Sequence, residues 1–135
     1  MAKKILGVVA GLAVWVTVVG VMGTIMRAFW PAYSSVADAM TFTLPMLFAR
    51  LSIGALATLA TGTVTAAIVQ RPKLANLIPG VILLIGFIPV HVMLWDKFPV
   101  WYHLTFLLSL VPLTYLGGTM AGVGRGTMRE ALPLV

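Results

Sequence analysis

Four apolar runs that lack lysine, arginine, aspartate and glutamate constrain the fold of this chain more than any other feature of its sequence. Each run holds about 20 residues, the length at which an α-helix crosses the hydrocarbon core of a bilayer. In lipid, the polar groups of the backbone must be satisfied within the helix itself. We therefore predict an all-α membrane protein, a four-transmembrane-helix bundle that forms a single domain over residues 1–135, with spans at about residues 5–26, 45–70, 74–95 and 100–123.

The composition agrees with a lipid environment. Of the 135 residues, 61% are hydrophobic and only 9% are charged, whereas about a quarter of the residues in a soluble domain are charged. A water-soluble fold of this size could not bury so much apolar surface. The chain has no cysteine, which excludes disulfides, thiolate metal sites, iron–sulfur clusters and covalently bound c-type haem.

The first span could be mistaken for a signal peptide, and the second has two possible starts. The first follows Lys3 and Lys4, as the apolar region of a signal peptide would, but it is too long for that and no A-x-A-like cleavage site follows it, so we interpret it as a retained span. The second uncharged run begins at Leu51, and we expect its helix to start at Pro45, because proline suits the first turn. Alternatively, this helix starts at Ser35 and kinks at Pro45.

The cations set the predicted orientation. They are dispersed between the apolar runs, as topology signals are, and do not form the patch of a nucleic-acid-binding protein, so no nucleic-acid partner is expected. Positive charges favour the cytoplasmic side of a membrane. One side of the predicted bundle carries six cations and holds both termini, so we expect both termini in the cytoplasm. The six cations are Lys3, Lys4, Arg71, Lys73, Arg125 and Arg129. The outer side carries Arg27, Arg50 and Lys97.

The first outer loop is the only long one, at about residues 27–43. It contains the sequence SSVADAM, in which Ser35 and Asp38 have the spacing of a helix capping box. This spacing predicts a short helix that lies at the membrane interface.

Small and polar residues recur at steps of three and four along three of the spans. Membrane helices associate through such residues, so we expect these stripes to face the interior of the bundle. The stripes are Ala13, Thr17, Gly20, Thr24 and Arg27 in the first span, Arg50, Gly54, Ala57, Thr58, Thr61 and Thr65 in the second, and His103, Leu107, Leu110, Thr114 and Gly117 in the fourth. The face of the third span that carries His91 is bulky, and its direction stays open.

The segment HVMLWDKFPVWYH holds both histidines of the chain, His91 and His103, on either side of a predicted outer turn. Trp95 and Trp101 are typical anchors at a membrane interface. At about 1.5 Å of rise per residue, the two imidazoles should lie at similar depths on neighbouring antiparallel helices. The residues expected near this outer end are Arg27, Arg50, His91, His103, Asp96 and Asp38.

Three interpretations of this outer cluster stay open. In a structural one, Arg27 or Arg50 pairs with Asp38 or Asp96, and the histidines bond to the backbone or to Tyr33 and Tyr102. In the second, the arginines and histidines form a pocket for an anion or a lipid headgroup, because guanidinium groups suit phosphate and carboxylate. In the third, His91 and His103 bind a metal or haem with help from Asp96 or Asp38.

The sequence favours a non-catalytic protein. No serine has an adjacent base within its own span, no phosphate-binding loop is present, and no ionisable group lies near the middle of any span, as coupled transport usually requires. We expect an accessory or assembly subunit without a cofactor, which contacts the lipid bilayer and either other membrane subunits or further copies of itself, with a lipid or anion pocket at its outer face. The alternatives are a small transporter or channel and a metal- or haem-binding redox subunit.

Two segments carry a resemblance. FTLPMLFARLSIGALATLATG and FPVWYHLTFLLSLVPLTYLGG resemble small four-span proteins of bacterial inner membranes to which no activity is attached. The resemblance covers most of the chain and implies a bacterial inner (plasma) membrane, but it transfers no ligand or catalytic residue.

Overall fold

The computed structural model describes residues 1–70 and 74–131, with side chains as far as Gly122. These residues form helices and turns without any strand, so the predicted all-α class is confirmed for the described part of the chain. The five helices are α1 (Ala2–Phe29), α2 (Pro31–Ala37), α3 (Leu44–Val69), α4 (Leu77–Met93) and α5 (Val100–Ala131).

Three of these helices are long and apolar enough to cross a membrane: α1, α3 and the segment Val100–Gly122 of α5. They coincide with three of the four predicted spans and indicate a membrane protein. The remaining predicted span, at residues 74–95, is longer than the helix observed there, α4. α4 is apolar but has only 17 residues, because turns at residues 74–76 and 94–97 occupy the ends of the predicted span. At 1.5 Å per residue it is about 26 Å long, slightly less than the roughly 30 Å of a hydrocarbon core.

The contacts of α3 define the directions of the long helices. Gly7 and Gly11 of α1 lie against Thr65 and Thr61 of α3, and since the numbers rise on one helix as they fall on the other, these helices are antiparallel. On α5, Phe106 lies against Gly54 and Thr114 lies against Gly62. Both of these pairs are 52 residues apart (106 − 54 and 114 − 62), so α3 and α5 are parallel.

α4 returns beside α5 in the opposite direction. Gly80 lies against Thr114, and His91 contacts His103. The numbers in each pair add up to 194 (80 + 114 and 91 + 103), which is the constant sum of an antiparallel register. The contacts therefore extend along most of α4.

The predicted inward stripe on α3 is confirmed. Thr58, Thr61 and Thr65 are fully buried. The Thr61 hydroxyl lies 3.0 Å from the Gly11 carbonyl oxygen, and that of Thr65 lies 3.1 Å from the Gly7 carbonyl oxygen. Because each glycine lets the α1 backbone approach α3 closely, a threonine hydroxyl can reach across the interface. The fourth-span stripe is confirmed as well, since His103, Leu110, Thr114 and Gly117 are buried and Leu107 is half-buried.

The stripe predicted for the first span was wrong. Ala13, Thr17, Gly20, Thr24 and Arg27 are exposed, and α1 instead buries Gly7, Val8, Gly11 and Trp15. The residues that meet α3 are Gly7 and Gly11, whose lack of a side chain lets the two backbones approach closely, and Trp15, which bonds to Thr58. Thr17 and Thr24 each donate to a carbonyl of their own helix, at 2.8 Å. Their hydroxyls are thereby satisfied without a neighbouring helix.

The loop between α1 and α3 contains the expected short helix, but with a different start. α2 begins with Pro31 in its first turn, after Trp30, and Ser35 lies inside it and donates to the Ala32 carbonyl at 2.9 Å. The capping box and the helix start at Ser35 are therefore wrong. The chain then turns through Met40, whose φ is 57°. α3 starts at Leu44 with Pro45 in its first turn, as predicted.

Candidate anion-binding cavity

A cavity of about 240 Å³ lies at one end of the bundle. We call this the α2 end, because α2 lies there beside the first residues of α3 and α5 and the last residues of α1 and α4. The wall of the cavity comes from all five helices and from the α4–α5 connection. Most of the lining is aromatic or aliphatic; the side chains that bring polar atoms to it are Trp15, Tyr33, Arg50, His91 and Tyr102.

Arg50 is the cation of this cavity, and it is half-buried. Its Nη1 donates to the Tyr33 hydroxyl at 2.7 Å, and its Nε donates to the Tyr102 hydroxyl at 3.4 Å. The guanidinium carbon also lies 4.7 Å from the centre of the Phe42 ring, a cation–π distance. All three partners are uncharged aromatic residues, and in the described part of the chain no carboxylate lies within ion-pair distance of Arg50.

The donors around Arg50 are only partly used. A guanidinium carries five N–H groups, and the two tyrosines accept from two of them. Each phenol oxygen accepts from Arg50, so its own O–H proton remains available to donate. Neither phenol donates to an acceptor among the described residues. This corner of the cavity therefore offers several hydrogen-bond donors and needs an acceptor.

The two histidines bond to each other. Nδ1 of His91 lies 2.7 Å from Nδ1 of His103, although the residues are on different helices. His103 is completely buried, and its ring stacks on Trp95 with 4.8 Å between the ring centres. His91 lines the cavity, while His103 lies behind it.

The hydrogen bonds determine which ring nitrogens carry protons when both rings are neutral. Nε2 of His103 lies 3.4 Å from the Trp95 carbonyl oxygen, and a carbonyl can only accept. Nε2 of His103 therefore carries its proton, and its Nδ1 accepts from Nδ1 of His91. This leaves Nε2 of His91 with a lone pair and without a partner among the described residues.

The six residues predicted for an outer pocket separate into three groups. Arg50 and His91 line the cavity, and His103 lies behind His91 and is hydrogen-bonded to it. Arg27 and Asp38 form an ion pair of 3.1 Å on the surface, with 52% and 90% of their side chains exposed. Asp96 is exposed and outside the cavity lining.

The structural interpretation expected Arg27 or Arg50 to pair with Asp38 or Asp96, and the pair of Arg27 with Asp38 confirms this part of it. Arg27 pairs with Asp38, whereas Arg50 bonds to tyrosines. The expected partners of the histidines were a backbone group or one of the tyrosines. One such contact is present, from His103 to the Trp95 carbonyl, but the shortest bond of the pair is between the two rings.

The predicted set of six residues contained none of the aromatic side chains of the site other than the histidines, and two of these, Trp15 and Phe42, make contacts that shape it. Trp15 lines the cavity and donates from Nε1 to the Thr58 hydroxyl at 3.1 Å, which joins α1 to α3. Phe42 lies beside Arg50 and stacks with Tyr33 at 5.1 Å between ring centres. A tryptophan in the middle of an otherwise aliphatic span was the available sequence signal for Trp15, because an indole N–H in lipid needs an acceptor.

The histidine geometry differs from that of a metal site. Two nitrogens bound to one tetrahedral zinc ion are about 3.3 Å apart when each bond is about 2.0 Å, whereas Nδ1 of His91 and Nδ1 of His103 are at hydrogen-bonding distance from each other. Within the described residues, no three of the His, Asp and Glu side chains come together as ligands for an ion.

No protein-family model, curated protein or solved structure matches this chain. The function of the cavity is therefore inferred from its geometry and chemistry.

Proposed function

We propose that this is a non-catalytic membrane protein that binds a small amphiphilic anion in the cavity at its α2 end, with Arg50 as the anchoring cation. The observation that carries the proposal is that Arg50 is half-buried in an aromatic and aliphatic cavity with neutral partners only. A charge held away from water is unfavourable unless it is paired. A bound anion would supply the missing opposite charge.

The composition of the cavity indicates what kind of anion would fit. Arg50, Tyr33 and Tyr102 offer hydrogen-bond donors at one place, which suits a carboxylate or a phosphate. The rest of the lining is largely apolar and suits a hydrocarbon or aromatic body. An engineered cavity of about 150 Å³ binds benzene, so a volume of about 240 Å³ accommodates a body of benzoate size.

The lining also supports a binding function rather than a catalytic one. Among the described residues that form the cavity there is no serine, threonine or carboxylate side chain. A nucleophile with an adjacent base is the usual requirement of covalent catalysis. The arrangement therefore favours an accessory protein that holds an anion or an anionic lipid headgroup.

The directions of the helices support four membrane crossings. α3 and α5 are parallel, so if both cross the membrane, the chain between them must cross back. α4 lies between them in sequence and runs antiparallel to α5 along most of its length. Its length of about 26 Å is enough for a thin or locally adapted bilayer. We infer that α4 is the fourth span.

The positive-inside rule supports an orientation in which the α2 end lies outside the cell. Arg27, Arg50 and Lys97 belong to this end, and Lys3 and Lys4 belong to the opposite one. The other four cations of the prediction are Arg71, Lys73, Arg125 and Arg129; they lie outside the residues whose side chains are described. With six cations on the side of both termini in the sequence, we propose that the cavity faces the periplasmic leaflet of a bacterial plasma membrane.

Retention of anions after gentle extraction tests the proposal. Native mass spectrometry of the protein in mild detergent should show a bound anionic lipid or a small acid in the wild type. The variant Arg50→Gln should lose it, because the amide keeps a donor but not the charge. Arg27→Gln is the matched control, since the same change is made on an exposed arginine outside the cavity.

Added probes distinguish the possible sources of the anion. Delipidated protein is titrated with benzoate, with inorganic phosphate and with phosphatidylglycerol in nanodiscs. Benzoate binding indicates a free organic acid, and binding of phosphatidylglycerol alone indicates a lipid headgroup. If Arg50→Gln retains anions and binds all the probes as the wild type does, the proposal is wrong.

A further inference from the structure

We infer that the cavity binds a monovalent organic acid as its anion together with one proton, and that the proton is held on Nε2 of His91. The inference rests on the proposed anion binding at Arg50. The underlying juxtaposition is that of a cationic corner in the cavity and a pair of hydrogen-bonded imidazoles, of which His91 lies in the lining of the same cavity and His103 lies behind it.

The histidine pair can accept one proton without rearrangement. In the neutral pair, Nδ1 of His91 donates to Nδ1 of His103, and Nε2 of His103 donates to the Trp95 carbonyl. A proton added to Nε2 of His91 leaves both of these hydrogen bonds in place. A second proton would have to occupy Nδ1 of His103, and two N–H groups would then face each other across 2.7 Å. The capacity of the pair is therefore one proton.

The proton has an accessible place to bind. His103 is fully buried and both of its ring nitrogens have partners, whereas His91 contributes to the cavity lining and its Nε2 has no partner among the described residues. The nitrogen that can accept the proton is thus on the residue that the ligand would meet. The acid itself can deliver this proton as it enters.

The groups that face His91 include no carboxylate in the described part of the chain. From α5 it meets His103 and the ring of Tyr102, whose centre is 6.3 Å away. α3 contributes Arg50 to the same cavity, α2 contributes Tyr33, and α1 contributes no titratable group. The charged residues of the α4–α5 connection, Asp96 and Lys97, are exposed. A protonated His91 would therefore have only another cation, Arg50, as its charged neighbour in the cavity.

This arrangement couples the proton to the anion. Without a ligand, a protonated His91 and Arg50 would place two positive charges around one largely apolar cavity, and their repulsion opposes protonation. A bound anion neutralises one of the two charges, so it favours protonation. By thermodynamic linkage, protonation favours binding of the anion to the same extent. Uptake of one anion and one proton leaves the net charge of the cavity unchanged.

Calorimetry of benzoate binding measures whether a proton is taken up with the anion. Titrations in two buffers with different ionisation enthalpies give the number of protons taken up for each benzoate bound. We expect a value that approaches one for the wild type, and an affinity that rises by up to about tenfold for each pH unit lowered between about pH 5 and about pH 8, where histidine side chains titrate. His91→Gln should still bind benzoate, but without proton uptake and with an affinity that is independent of pH in this range.

A measurement on the wild type avoids dependence on the variant. With ¹⁵N-labelled histidine, addition of benzoate at constant pH should convert one Nε2 resonance from the unprotonated to the protonated form. Benzoate binding without proton uptake, or with both histidine spectra unchanged, overturns this inference and leaves the proposed function intact. Failure of benzoate, phosphate and phosphatidylglycerol to bind at all overturns the proposed function, and with it this inference.

Discussion

Arg50 donates from Nη1 to the hydroxyl of Tyr33 at 2.7 Å, and this bond holds α2 over the first turns of α3. Tyr33 is almost completely buried, so its hydroxyl is removed from water and depends on this contact. The same bond fixes the direction of the guanidinium. It therefore contributes both to the stability of the α2 end and to the geometry of the cavity.

Replacement of Tyr33 by phenylalanine should destabilise the protein. A hydrogen bond to a charged group contributes about 1.5–3 kcal/mol, and we expect a loss of this order in the free energy of unfolding, measured by SDS titration in mixed micelles. Tyr115→Phe is the matched control, because the side chain of Tyr115 is exposed and makes no hydrogen bond to the described residues. Equal stability of the two variants would show that the bond between Arg50 and Tyr33 contributes little.

The ion pair between Arg27 and Asp38 should contribute much less than the bond of Arg50. Both side chains are more than half exposed, and exposed pairs typically contribute less than about 1 kcal/mol. Asp38→Asn should therefore change the free energy of unfolding by less than about 1 kcal/mol, and added salt should reduce the difference from the wild type. A larger, salt-independent loss in the same SDS titration would show that α2 depends on this pair.

Gly62 permits a close approach of α3 to α5. A Cβ atom at this position would overlap the carbonyl oxygen of Thr114, a backbone atom that cannot move aside. Gly62→Ala should therefore separate the two helices and cost about 1–3 kcal/mol, as overpacking does. Gly20→Ala is the control, because a Cβ at Gly20 meets no neighbouring atom, and alanine is the better helix former by up to about 1 kcal/mol. Thermal unfolding in mild detergent should show opposite shifts for the two variants, and similar shifts would contradict the packing described here.

The long helices were predictable because their signal is local. A run of residues without charge must be buried or lie in lipid, whatever the rest of the chain does, and the three longest helices follow from such runs. The inward face of α3 was predictable for a similar reason, since Thr58, Thr61 and Thr65 share one side of the helix. The same argument failed for α1 because its close contact with α3 is made by Gly7 and Gly11. A threonine can bond to its own helix whether it is exposed, as Thr17 is, or buried, as Thr58 is, so threonine spacing alone does not show which face is turned inward.

The cavity was only partly predictable because its contacts are distant in the sequence. Depth along the spans placed Arg50 and His91 near the same end of the bundle, and the structure brings both to one cavity. Depth along the spans could not predict the hydrogen-bond partners of Arg50. Tyr33 reaches Arg50 only because the helix is interrupted at Trp30, between α1 and α2, and the chain turns again at Met40, where φ is 57°. Such turns depend on the packing of the whole α2 end.

Replacement of Thr61 by valine tests the hydrogen bond between α1 and α3. The variant keeps the shape of the side chain but loses the hydroxyl donor, which is shared between the Gly11 carbonyl at 3.0 Å and the Ala57 carbonyl of its own helix at 2.8 Å. Hydrogen bonds between membrane helices contribute about 0.6 kcal/mol on average and up to about 1.7 kcal/mol, and we expect a loss in this range by SDS titration. Thr17→Val is the control, because Thr17 is exposed and bonds only to its own helix. A loss at Thr17 as large as that at Thr61 would argue against a specific contribution from the interhelical bond.

The proposed crossing of α4 can be tested directly because the 135-residue chain contains no cysteine. Single cysteines are introduced at Leu74, in the α3–α4 connection, and at Asp96, in the α4–α5 connection; both side chains are exposed. In intact bacterial cells, a membrane-impermeant maleimide should label Asp96→Cys, whereas Leu74→Cys should react only after the cells are permeabilised. Labelling of both positions from the same side would show that α4 does not cross the membrane, and the reverse pattern would show that the α2 end faces the cytoplasm.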